Sequence, residues 1–138
     1  MSGRFPVPFA LVRKTRELPT PLWELQEDFA FESAAAGCTI VVPKGFITDG
    51  CSIPHIPLVY LMAGGKADEA GYVHDLLYTT QRFPRELCDE VLREAVIAMG
   101  YSEHLAQSFY EAVRLFGGSH WDLPNVPQRP EVAAQMGA

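Results

Sequence analysis

Residues 66–81, KADEAGYVHDLLYTTQ, decide how the second half of the chain reads, because their apolar positions recur at the three- and four-residue spacing of a helix. Ala70, Leu77 and Tyr78 share a stripe with His74, which therefore projects from a mostly apolar face beside the core. Gly64-Gly65 precedes this helix. Two further helices are predicted at 85–99 and 103–117: Phe83-Pro84 starts the second, Gly100 ends it, Ser102 is the N-cap of the third, and Gly117-Gly118 stops it.

Towards the N-terminus the pattern changes from spiral to alternating. Phe5, Val7, Phe9 and Leu11 fall on one face, and Trp23, Leu25, Phe29 and Phe31 on another, with Glu27 interrupting. The segment CTIVVPKGFITDG, residues 38–50, continues the alternation. Val42-Pro43-Lys44-Gly45 suits a turn with proline at its second position and glycine at its fourth. The fold class is thus α+β: a small antiparallel sheet of about three strands, then a three-helix half. Residues 1–118 form a single domain, and 119–138, with Pro124, Pro127 and Pro130, read as an extended arm that embraces the domain or a partner.

Composition bounds the function. The 138 residues are 48% hydrophobic and 20% charged, which suits one globular domain with a real core. No apolar run is long enough to span a membrane, and the N-terminus lacks the pattern of a secretory signal. A net charge of −6 gives no basic face for phosphate contacts, so nucleic acid is not an expected partner. Cys38, Cys51 and Cys88 show no C-x-x-C spacing and read as reduced thiols in a cytoplasm.

The chemistry-bearing residues gather on the first two helices. Asp89, followed by Leu92, Val96 and Met99, is a carboxylate at the end of an apolar face, where an uncompensated charge is expensive. His74 on the neighbouring antiparallel helix is the economical partner, its tautomer fixed by the bond. That pair is the orienting half of a general-base arrangement. Asp75 sits one step round the helix, and Tyr78 is within reach of both His74 and Asp75. Asp75 is then free to bind a hard cation, with Asp49 or carbonyls of the Thr48-Asp49-Gly50-Cys51-Ser52 loop completing an oxygen shell. The alternative is a satisfied buried network with no reaction attached to it.

Two resemblances meet on these residues. Phe46-Ile47-Thr48-Asp49-Gly50-Cys51-Ser52-Ile53-Pro54, His74-Asp75-Leu76-Leu77-Tyr78, Asp89 and YEAVRLFGG resemble an uncharacterised family of small phage and prophage proteins, over residues 5–121. His55 stands where that family more usually has arginine, and Cys51 where it commonly has alanine, which argues against a catalytic thiol. From Asp49 to Asp89 the order of motifs also resembles phospholipase A2 of the bacterial and fungal type. This second resemblance implies that His74 activates water, Asp89 orients His74, Tyr78 braces the carboxylate, and Asp75 with the Asp49 loop holds calcium. The bacterial enzymes tie the loop cysteine to one before the histidine. Here that position is Gly71, so Cys51 lacks the partner.

Other residues carry less. Residues 53–62, Ile-Pro-His-Ile-Pro-Leu-Val-Tyr-Leu-Met, read as a short core segment or as a rim for lipid entry or partner docking. His104 and His120 lack ligand spacing, which removes support for zinc hydrolysis, and Arg114 pairs structurally with an acid rather than binding phosphate. Two functions are therefore expected. One is a phage-type, calcium-dependent esterase acting on a lipid or other ester. The other is a phage structural or virion-associated interaction protein, located in the host cytoplasm or carried in the particle.

Overall fold

The computed structural model describes residues 3–6, 12–16, 22–48, 68–122 and 127–136. Among the described residues the strands come first: β1 (Val12–Arg16), β2 (Leu22–Leu25), β3 (Phe29–Ser33), β4 (Cys38–Val42) and β5 (Ile47–Thr48). The helices among the described residues follow: α1 (Asp68–Thr80), α2 (Arg85–Ala98), α3 (Glu103–Asp122) and α4 (Pro130–Met136). The α+β class stands, with the described helices after the described strands.

The strands form two antiparallel sheets rather than one, a three-stranded sheet in the order β1-β2-β5 and the β3–β4 hairpin. In the hairpin Phe29 pairs with Val42 and Phe31 with Ile40, so all four large side chains share the face that is buried against α1 and α2. Phe5 packs on Phe29 and Phe31 at ring separations of 5.1 and 4.7 Å, and Arg4 bridges to Glu32. Val7, Phe9 and Leu11 lie outside the described residues. Between β4 and β5 the turn is shifted by one residue from expectation: Phe46 N–H bonds Pro43 C=O at 3.0 Å and Gly45 takes the third position with φ 87°, a backbone conformation that glycine adopts without a side-chain penalty.

The helices are shaped by their ends. α1 is buried on most sides, which is why its polar residues need partners. It stops where Gln81 takes φ 51°, a left-handed residue whose side-chain amide donates to Trp121 C=O at 2.8 Å. α2 closes with Gly100 at φ 97°, its N–H on Ile97 C=O and Tyr101 N–H on Val96 C=O, the paired bonds that end a helix at a left-handed glycine. Ser102 caps α3, accepting Leu105 N–H at 3.1 Å through its hydroxyl.

Two sequence expectations are corrected here. Gly117-Gly118 does not stop the third helix, which continues to Asp122 and so carries Ser119 out of the expected arm. Gly117 answers a packing need, since a Cβ there would come within 2.7 Å of the Tyr78 hydroxyl. The rest of the arm is not simply extended either: Pro130 opens the short helix α4, where a proline's missing N–H costs no hydrogen bond, and Val132 and Met136 on one face of it are buried. Among the described residues, no helix is long and apolar enough to cross a membrane.

Candidate functional site

α1, α2 and α3 converge on one carboxylate. Asp89 is fully buried in the first turns of α2, and its two oxygens face different neighbours. Oδ1 lies 2.8 Å from His74 Nε2 and accepts the Tyr78 hydroxyl at 2.6 Å. Oδ2 accepts Arg114 Nη1 at 2.9 Å, with Arg85 Nε 4.0 Å away. The helical repeat builds this arrangement: His74 and Tyr78 are one turn apart on α1, and Arg85 and Asp89 one turn apart on α2.

A second layer fixes the first. Arg85 Nε donates to the Tyr78 oxygen at 3.2 Å, and Arg85 Nη2 donates to Val113 and Arg114 C=O at 2.7 and 2.8 Å, tying α2 to the middle of α3. The His74 and Tyr78 rings pack at 4.2 Å, and Trp121 meets Tyr78 edge-on at 5.0 Å. Gly117 gives Tyr78 the room to approach α3.

The electrostatics favour an ionised Asp89. Burial pushes its carboxyl upward, but the hydrogen bond and charge of His74, then the hydrogen bonds from Tyr78 and Arg114, outweigh burial and hold it below the ordinary carboxylate range. Burial, followed by the hydrogen bond and charge of Asp89, raises the Tyr78 phenol, so it stays a donor. The hydrogen bond to Asp89 also raises the Arg114 guanidinium. Cys88, next to this carboxylate, is pushed up to about 12, by burial first and the Asp89 charge second, and is an inert thiol.

Of the residues singled out in the sequence, His74, Tyr78 and Asp89 come together. Asp75 is half-buried and makes an interaction of its own, and the bonds to Asp89 come from His74, Tyr78 and Arg114. Asp49, Cys51, His55 and the 53–62 segment lie outside the described residues. Among the described residues no group of three or more His, Cys, Asp or Glu is placed to hold a metal ion, and of the expected calcium carboxylates Asp75 is described while Asp49 is not. His104 is exposed at the start of α3. Arg114 pairs with an acid as expected, and the acid is Asp89. Arg85, Gly117 and Trp121 were not expected at the site. Arg85 alone had a legible signal, its place one turn before Asp89.

His74 is 5% exposed, and no described residue hydrogen-bonds its Nδ1. In the neutral ring, with Nε2–H donated to the Asp89 carboxylate, Nδ1 carries the lone pair. Such an arrangement can fix a histidine as a proton acceptor.

Fold and site together define an α+β protein whose three main helices close on a buried His–Asp–Tyr–Arg network. Residues 23–113 match a family described as a protein of unknown function (DUF1353), and the chain belongs to that family. The match includes His74, Tyr78, Arg85 and Asp89 and ends one residue before Arg114. Neither the curated proteins nor the solved structures gave a significant match.

Proposed function

We propose that the protein is a hydrolase in which His74 acts as general base on water that attacks an ester carbonyl. The observation that carries this reading is the His74 Nε2 to Asp89 Oδ1 contact of 2.8 Å, made to a carboxylate already ionised and immobilised by Tyr78 and Arg114. Asp89 keeps the proton on Nε2, and Nδ1 takes one proton from water as the hydroxyl oxygen bonds to the carbonyl carbon. The imidazolium formed is stabilised by Asp89, and its new proton passes to the departing alkoxide as the ester C–O bond breaks. Tyr78 and Arg114 hold the carboxylate still through both transfers.

A lipid ester is the substrate class suggested by the resemblance to phospholipase A2. Calcium, if it is the cofactor, would be held by Asp75 and the Asp49 loop and would supply polarisation of the carbonyl. The resemblance to phage and prophage proteins supports a phage-encoded enzyme, made in the bacterial cytoplasm and freed by lysis or carried in the particle. Calorimetric titration with calcium, magnesium and zinc, alongside hydrolysis of phospholipid micelles with calcium or a chelator, tests the reading. Calcium binding that Asp75→Asn abolishes, with hydrolysis dependent on it, is the expected result; no binding of any of the three ions and no hydrolysis would overturn it.

One observation favours a second reading. Arg85 and Arg114 extend the Asp89 network across α2 and α3, as a device for locking helices would. On that reading the protein is a phage structural or virion-associated interaction protein. It copurifies with other phage proteins, and Asp75→Asn leaves it unaffected.

A further inference from the structure

The C-terminal segment, beyond the family match, is pinned to the three-stranded sheet at successive residues. Gln128 takes up both backbone groups of Ile47, its Oε1 accepting the N–H at 2.8 Å and its Nε2 donating to the C=O at 2.7 Å. Its carboxamide thus stands in for a neighbouring strand at the β5 edge, where an open backbone would invite pairing with another chain. One residue on, Arg129 Nη2 lies 2.6 Å from Oε1 of Glu24, a buried carboxylate on β2 directly opposite Ile47 in the ladder. Val132 and Met136 bury the inner face of α4, and Val132 closes on Gly45, where a Cβ would come within 2.9 Å of its Cγ2.

These anchors share a physical consequence. Glu24 is buried, whereas its cation Arg129 is half exposed, so letting go of Arg129 costs the carboxylate a partner that water cannot easily replace. Letting go of Gln128 strips both backbone groups of Ile47 at once. Glu24 and Ile47 pair across the same rung, so both losses fall on the β2–β5 contact. The β3–β4 hairpin, by contrast, packs on α1 and α2. Ile47 and Thr48 are also the last two residues before Asp49.

We propose that residues 127–136 form a latch on the strand that leads into Asp49. Latch and β5 open together as one local unit, while α1, α2, α3 and the His74–Asp89 network stay closed. The opening stands on these contacts alone.

Hydrogen exchange of the full chain, followed residue by residue by NMR, tests the latch without any assay of activity. The amides of Ile47, Val132 and Ala133 are expected to exchange at a common rate well above that of Leu92 to Val96. In Arg129→Ser all three accelerate about tenfold, although Arg129 does not bond Ile47, and the α2 amides do not change. An Ile47 amide that exchanges with the α2 core in the wild-type chain, or keeps its wild-type rate in Arg129→Ser, overturns the proposal. Should the variant not fold, the wild-type comparison decides.

Discussion

Arg114 Nη1 sits 2.9 Å from Asp89 Oδ2, on the oxygen opposite the one that His74 and Tyr78 share. The carboxylate is therefore held from both sides, by an aromatic pair on α1 and a cation on α3, and the three helices cannot shift independently without breaking one of these bonds. The first consequence concerns stability. Replacing Asp89 by alanine leaves His74, Tyr78 and Arg114 without their common acceptor, and breaking a buried ion pair of this kind costs about 3–5 kcal/mol. Urea denaturation of Asp89→Ala against wild type measures it; a loss below about 1 kcal/mol would match a surface pair instead.

The same group sets an acid limb. Because the Asp89 carboxyl lies below its ordinary value in the folded protein, the unfolded chain takes up that proton first as pH falls. Its contribution is complete above about pH 4 and is lost as pH drops through the lower folded value. The stability gap between wild type and Asp89→Asn is expected to be widest at neutral pH and to narrow in acid, as denaturation at pH 7, 5 and 3 would show.

Gly117 makes a prediction against helix propensity. Alanine is the better helix former by about 1 kcal/mol, yet a Cβ here meets the Tyr78 hydroxyl at 2.7 Å. Gly117→Ala is expected to destabilise by about 1–3 kcal/mol through overpacking. The penalty should shrink in a Tyr78→Phe background, where the clashing oxygen is gone, so a double-mutant cycle by thermal or urea unfolding checks the contact.

A second carboxylate holds the hairpin. Glu94 accepts the Ser33 hydroxyl at 2.6 Å and the Ala34 and Ala35 N–H groups at 2.9 and 3.0 Å, so it fastens the β3–β4 turn to α2. Glu94→Ala is expected to cost about 1–3 kcal/mol and to speed exchange of the Ala34 and Ala35 amides. Unchanged exchange there would show that the turn holds itself.

Much of this architecture was legible in the sequence, because local chemistry and the fold agree. Gly100, Ser102 and Pro84 each act within one turn, so the helix ends they mark fall close to where the pattern puts them. A carboxylate on the apolar face of 85–99 and a histidine on the stripe of 66–81 required each other, and they meet. What escaped depends on approach between distant elements. Gly117-Gly118 carries the signature of a stop, but the reason for Gly117 is Tyr78, 39 residues earlier in the chain. The alternation of the first half reveals strands without showing that they divide into two sheets, since pairing depends on long-range register. The latch was hidden because its prolines suggest extended chain, while the apolar pair Val132 and Met136 is too short a pattern to announce a helix.

The central claim is that His74, oriented by Asp89, removes a proton from water. Its most direct test is the rate of ester hydrolysis by wild type and His74→Gln, with folding of both verified by circular dichroism. A loss of about 10²–10⁴-fold in the variant, the range expected for a general base, agrees with the account; equal rates from two folded proteins would contradict it.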